Sequence, residues 1–315
     1  MKKTISLALP CYNEEDNILP LYERLQEVTA HAERYNFEFL FIDNCSQDDT
    51  VPLLKTLANK DPRVKVIVNT RNFGTIRSPH YALLQTSGDA TIWMATDLQD
   101  PPEMILEFIK KWEEGYKVVA GIKPVSHESK LMFQIRKWYY QFVARIADTK
   151  LIQNFTGFGL YDKQVLDVMR KLDDPYPYFR GLISELGFKA AEVPFVQPRR
   201  MRGLTKNNFY TLYDMAMLGI TSHSKVPLRL ATIAGFGLSI LSFGLSAIFL
   251  LLKLLFWKSF SMGVAPILIG LFFFSSVQLF FIGLLGEYIM AIHTQVLKRP
   301  LVVEAERINL KTPKA

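Results

Sequence analysis

Cysteine is nearly absent, with only Cys11 and Cys45 in 315 residues. That excludes a disulfide-built scaffold and fits a reducing compartment. Two cysteines without His or Cys partners make no thiolate metal site either. The chain also lacks the Gly-x-Gly-x-x-Gly spacing of a dinucleotide fold and the glycine–lysine loop of P-loop proteins, which disfavours both classes. No internal repeat or low-complexity segment stands out. Charge is missing locally but completely: there is none from Leu230 to Leu252 and none from Ser259 to Gly286. At 1.5 Å per residue the shorter stretch covers roughly 34 Å, more than a hydrocarbon core of about 30 Å. Two such stretches joined by a short loop predict a transmembrane hairpin at 230–252 and 264–286, within a segment 226–292.

What is present divides the chain. Residues 1–225 mix charged and apolar side chains as a globular domain does, and 293–315 read as a cytosolic tail. Lys225, Arg229, Lys298 and Arg299 flank the outer ends of the hairpin, against Lys253 and Lys258 in its loop. This positive-inside bias places both termini in the cytosol. Met1-Lys2-Lys3 runs straight into a short strand with no leader. The expectation is a multi-pass protein of the cell (inner) membrane with a cytosolic first domain. Beside a membrane hairpin, a net charge of +7 points to the lipid bilayer and phosphorylated lipids, and not to nucleic acid.

Within the first domain, strand-like runs occur at Ile5–Leu9, Phe37–Ile42, Val64–Val68, Thr91–Ala95 and Val118–Ala120. Helical patterns separate them, such as Ile18, Leu21, Leu25, Val28 and Ala32 at spacings of three and four. Strands alternating with helices predict βαβ units and a mostly parallel sheet. After Gly121 the alternation weakens. The stretch 131–147 interleaves Trp138, Tyr139, Tyr140 and Phe142 with Arg136, Lys137 and Arg145. It suits either a membrane interface or packing on the soluble core with its charges solvated. A second mixed stretch, 208–224, lies next to the hairpin and is expected at the interface.

Polar clusters follow four of these strands. They are Pro10-Cys11-Tyr12-Asn13-Glu14-Glu15, Asp43-Asn44-Cys45-Ser46-Gln47-Asp48-Asp49-Thr50, Arg71-Asn72-Phe73-Gly74, and Asp97-Leu98-Gln99-Asp100-Pro101-Pro102-Glu103. Any one of them alone is compatible with ordinary turn or cap chemistry. Four in a row on one sheet edge describe a polar cleft, where an open α/β sheet binds its ligands. The oxygen-bearing side chains after the fourth run suit a hard divalent cation, and such a cation suits a nucleotide diphosphate.

These clusters, with Arg200-x-x-Gly203-x-Thr205-Lys206 and Gly286-Glu287-Tyr288, make the chain resemble family 2 glycosyltransferases of the GT-A fold. Within them it is most similar to the polyprenyl-phosphate glycosyltransferases related to dolichol-phosphate mannosyltransferase and GtrB. The likeness covers nearly the whole chain. It implies an α/β fold: a GT-A (Rossmann-like, mostly parallel sheet) catalytic domain followed by a C-terminal two-helix transmembrane hairpin.

The implied activity is inverting transfer of a sugar from a nucleotide sugar, expected to be a UDP-sugar, to polyprenyl (undecaprenyl) phosphate at the cytosolic face. Pro10, Tyr12, Asn13, Glu14, Asp43, Arg71, Gly74 and Asp97 would hold the nucleotide sugar. Asp97 and Gln99 would bind Mg²⁺ or Mn²⁺. Arg200 and Lys206 would close over the phosphates and act with Asp97 in catalysis, and Arg136, Lys137, Arg200 and Lys206 would meet the acceptor phosphate. The resemblance also implies a homo-oligomer.

Three departures from the family pattern bear on mechanism. The Asp-x-Asp motif reads Ala95-Thr96-Asp97, and the usual Asp-Asp-Gly-Ser reads Asp43-Asn44-Cys45-Ser46. Close relatives carry an acidic residue and an arginine where this chain has Gly157 and Gly159, so the acid often considered the base is missing. A lipid phosphate, largely dianionic at pH 7, needs no base. A sugar hydroxyl of a lipid-linked saccharide would, with Glu185 or Asp162 as substitutes. A degenerate nucleotide-binding subunit is the third reading.

Overall fold

A computed structural model describes residues 2–123, 152–198, 217–219, 221, 226–256 and 264–310. The two mixed aromatic stretches lie mostly outside these residues, as do Arg136, Lys137, Arg200 and Lys206.

The first four strands are β1 (Thr4–Cys11), β2 (Asn36–Asp43), β3 (Val64–Asn69) and β4 (Ala90–Trp93). Each leads into a helix: α1 (Glu15–Ala30), α2 (Thr50–Lys60), α3 (Gly74–Gln85) and α4 (Met104–Glu113). β1 pairs in parallel with β2 and β4, and β2 in parallel with β3. Residues such as Leu7, Phe39, Phe41 and Ile92 are fully buried. A parallel sheet covered on both faces explains why these strands read as unbroken apolar runs. One face packs against α1, α2 and α4 through Ile18, Leu21, Leu54, Ile105 and Phe108. The other packs against α3 through Ala82 and Leu83.

Past β5 (Val118–Ile122) the sheet departs from simple alternation. β6 (Phe155–Asp162) lies antiparallel between β4 and β5, and β7 (Ala190–Pro194) adds in parallel outside β5. α5 (Lys163–Leu172) and α6 (Phe179–Glu185) cover this half on the α3 side. The full order is β7-β5-β6-β4-β1-β2-β3-β8. β6 is absent from the expected strand set because Gly157 and Gly159 interrupt any apolar period. Gly159 is there for a backbone reason: a Cβ would sit 2.3 Å from the carbonyl oxygen of Val119 on β5.

The last strand, β8 (Glu304–Ile308), comes from the segment expected to be a tail. It pairs antiparallel with β3 and ties down its surroundings. Thr70 N–H donates to Val303 O at 2.9 Å, and the Tyr81 hydroxyl donates to Glu304 at 2.8 Å. Asn309 Nδ2 donates to Ala58 O and Val64 O.

Two helices intervene, α7 (Val226–Leu255) and α8 (Val264–Val296), each longer than the expected span. Val226–Leu245 and Gly270–Val296 are long and apolar enough to cross a membrane, and neither is buried inside the protein. Phe236, Phe243, Phe272 and Phe280 are exposed along them. Because β8 returns to β3, the chain leaves the sheet and comes back to it across this pair of helices. The two helices are therefore an excursion between β7 and β8 of one sheet.

Candidate active site

All four parallel strands end on the same edge of the sheet, and β1 sits where the connections reverse, with β2 on one side and β4 on the other. Such a switch point opens a crevice between the strand ends. Neighbouring loops fix its walls by hydrogen bonding. Asn13, in the left-handed region (φ 53°), donates its N–H to Ser46 Oγ at 2.8 Å and accepts from Gln47 N–H at 2.9 Å. Glu14 N–H donates to Thr50 Oγ1, and Asp49 N–H to Glu15. The β1 and β2 loops are thus one unit, with Pro10, Tyr12 and Glu14 along it.

Asp43, fully buried at the end of β2, accepts the N–H of Ser46 at 2.9 Å and the Ser46 hydroxyl. Burial pushes its carboxyl above the ordinary value against the pull of these Ser46 bonds. In this geometry Asp43 shapes the turn that carries Ser46.

Asn44 is the residue that sequence reasoning left unassigned. Its amide donates to Asn72 Oδ1 at 2.9 Å and Gly74 O at 3.3 Å, and accepts from Phe73 N–H and Asn69 Nδ2. The Arg71–Gly74 loop therefore hangs on one buried side chain just past β2. Arg71 is exposed and stacks over Phe73 at 4.1 Å. Gly74 takes φ 85°, a conformation glycine adopts without strain, and opens α3.

On the other side of the crevice, Thr96 Oγ1 donates to Pro10 O at 3.0 Å and joins the β4 loop to β1. Asp97 accepts from Gln99 N–H at 3.1 Å across Leu98, which sits at φ 60°. This turn sets Asp97 and Gln99 two residues apart in the loop that follows β4. Asp100, also unassigned from sequence, is buried and accepts from Ala95 N–H at 2.9 Å, closing the loop from below. Burial pushes its carboxyl up to about 7, with the Ala95 bond opposing and Asp97 adding to the rise.

Among the described residues no group of three or more His, Cys, Asp or Glu is placed to hold a metal ion. One carboxylate and one amide fit a hard cation that keeps waters and substrate phosphate oxygens as its remaining ligands, as Mg²⁺ does.

Asp162, a candidate substitute base, has another task. It caps α5 through Gln164 N–H and accepts from Trp112 Nε1 at 2.7 Å and Lys117 Nζ at 3.0 Å. Its burial opposes the charge, yet these partners hold the carboxyl below its ordinary value. It is a structural anchor. Glu185 is exposed at the last residue of α6. Gly157, where the resemblance implies an acid, takes φ 109°, and a Cβ there would rest 3.5 Å from Phe179 and from Trp93.

Against this geometry, the sequence model described as glycosyl transferase family 2 matches residues 6–169. The chain belongs to that family. A Bacillus subtilis (strain 168) protein named uncharacterized glycosyltransferase YkcC is 36% identical over 300 residues, covering 95% of this chain and 92% of its own. The SfII prophage-derived bactoprenol glucosyl transferase of Shigella flexneri is 34% identical over 297 residues, covering 94% of this chain and 96% of its own. Among solved structures, the mannosyltransferase PcManGT of Pyrobaculum calidifontis, in complex with GDP-Man and Mn²⁺, is similar with a TM-score of 0.48 at 16% identity. That likeness spans 73% of this chain and 65% of the mannosyltransferase. This glycosyltransferase thus carries the GT-A-like α/β fold expected of its motifs, with two candidate membrane spans added at its C-terminal side.

Proposed function

We propose that the protein is a membrane-anchored, inverting glycosyltransferase that moves a sugar from a UDP-sugar to a polyprenyl phosphate, undecaprenyl phosphate, at the cytosolic face. One observation carries the reading. Asp97, which accepts the Gln99 N–H, lies in the loop after β4 at the sheet's switch point, on a chain whose strand β8 returns to that sheet after two exposed apolar helices. Family membership and the bactoprenol glucosyl transferase relative support it.

Asp97 and Gln99 would hold Mg²⁺ or Mn²⁺ against the donor's diphosphate. When bound, such an ion neutralises the charge of a departing nucleoside diphosphate. The laced β1 and β2 loops would seat the nucleoside, and the Asn44-held Arg71–Gly74 loop would flank the phosphates. Single inversion needs the acceptor phosphate oxygen to attack the anomeric carbon in line, as the bond to the diphosphate oxygen breaks.

Gly157 supports a phosphate acceptor. With no acid at this place, the nucleophile has to arrive already deprotonated. A phosphate monoester, with a second pKa near 6, does so at neutral pH, whereas a sugar hydroxyl does not.

The test incubates the detergent-purified full chain with Mn²⁺, undecaprenyl phosphate and a panel of labelled nucleotide sugars, with Asp97→Asn as control. Lipid-linked product from the wild type alone supports the proposal and names the donor. Nucleotide binding with transfer only to a lipid-linked saccharide would overturn the phosphate acceptor, and neither binding nor transfer would overturn the whole reading.

A further inference from the structure

Arg77 lies in the first turn of α3, immediately beyond the Arg71–Gly74 loop of the crevice. Its Nε is buried and has no hydrogen-bond partner, and among the described residues Arg77 forms no ion pair. Its guanidinium sits 5.5 Å from the centre of the Tyr176 ring. One turn further along the same face, His80 is buried with an unpartnered Nδ1 and packs edge-on against Phe179 at 6.4 Å. Phe179 is one of the two side chains that a Cβ on Gly157 would touch. His80 and Phe179 thus run from the α3 face that carries Arg77 to Gly157, where the resemblance implies an acid.

A second set of contacts links the same wall to the hairpin. Tyr176 belongs to the connection between α5 and α6. In it, Asp174 accepts Tyr176 N–H at 2.9 Å and Gln295 Nε2 at 2.8 Å. Gln295 is in the last turn of α8, at the end of the second candidate span. The wall that holds Arg77 is therefore also the wall nearest the end of a membrane helix, where a lipid headgroup would stand.

A buried guanidinium N–H without an acceptor is costly. A phosphate monoester repairs this fault. Its oxygens accept side-on from Nε and one Nη together, a fork that lysine does not offer. We propose that Arg77, backed by Tyr176, binds the phosphate of the lipid acceptor and orients it toward the anomeric carbon. This rests on the reading of the acceptor as a polyprenyl phosphate. The donor's diphosphate is the other possible source of the same chemistry, and the experiment separates the two.

Initial rates of the full-length protein in detergent are measured for wild type, Arg77→Gln and Arg77→Lys, varying undecaprenyl phosphate and nucleotide sugar independently. Calorimetric binding of the nucleotide alone confirms that each variant is folded. The expected result for Arg77→Gln is an acceptor KM raised about ten- to a hundredfold, the range for losing a charged hydrogen-bonded pair. Donor KM and nucleotide affinity stay within about twofold of wild type on the same scale of effects. Arg77→Lys recovers part of the loss, because it keeps the charge without the fork.

An unchanged acceptor KM overturns the proposal, and so does a rise confined to donor KM, which would place Arg77 on the diphosphate. If the wild type makes no lipid product, the acceptor reading fails by itself, and ³¹P titration with citronellyl phosphate in the presence of UDP still decides Arg77. Weaker binding to Arg77→Gln supports its role, and equal binding refutes it.

Discussion

The two sides of the crevice are built differently. On the β1–β2–β3 side, loop polar groups are engaged with one another: Asn13 with Ser46 and Gln47, and Asn44 with Asn69, Asn72, Phe73 and Gly74. Where α3 faces the α5–α6 connection and α6, Arg77 Nε and His80 Nδ1 are buried without partners beside the Tyr176 and Phe179 rings. The first side holds its shape with nothing bound, so a nucleotide meets a preorganised surface and little ordering is lost on binding. The second leaves Arg77 Nε as a buried donor without an acceptor among the described residues. The contrast matches a rigid donor site facing an acceptor site completed by its substrate.

The comparison breaks most sharply at Asp97. Asp97→Asn is expected to lower turnover about a thousandfold, or about 4 kcal/mol of transition-state stabilisation, with the fold intact by circular dichroism. Near-wild-type turnover would move the chemistry away from the β4 loop.

Next in size is Gly159→Ala. Its Cβ would press on the Val119 carbonyl at 2.3 Å, and forcing β5 and β6 apart is expected to cost about 3 kcal/mol. Denaturant unfolding of the purified protein reads this directly.

Asn44→Ala tests the lacing itself. It removes an amide that serves four partners, and a loss of about 2 kcal/mol in donor affinity is expected, read as a raised donor KM with kcat nearly kept. An unchanged donor KM would mean that the Arg71–Gly74 loop holds its position without Asn44.

The smallest effect concerns His80, whose burial pushes its pKa down to about 4 from an ordinary 6.5, against the pull of Asp174. The unfolded chain takes up this proton first as pH falls. The neutral imidazole's contribution is therefore complete above pH 6.5 and is lost progressively toward pH 4. Wild type should lose about 1–3 kcal/mol of stability over that interval relative to His80→Leu, by thermal melts in a pH series.

How much of this was legible in the sequence follows the same divide. β1 to β4 are parallel and covered on both faces, so they appear as continuous apolar runs, and their carboxyl ends appear as the clusters around Asn13, Asp43, Asn72 and Asp97. β6 did not show itself, because its pairing with β4 and β5 depends on tertiary contacts and on glycines that break the period. β8 reads Glu-Ala-Glu-Arg-Ile, a charged edge strand that local pattern cannot distinguish from a solvated tail. Asp97 and Gln99 were recognisable from their spacing before a proline pair. Arg77 was not, since one arginine in a helical stretch has the same local signature whether it meets water, an aromatic ring or a phosphate.

β8 carries a consequence for how the molecule is made. It is synthesised after both hydrophobic helices, yet its partner β3 is among the first strands to emerge from the ribosome. Until the hairpin has turned back to the side where it began, β3 keeps a row of unpaired amides and carbonyls, a surface prone to join with other chains. Docking of β8 therefore requires both helices to bring the chain back to β3. A copy whose second helix fails to return cannot close its sheet at this edge.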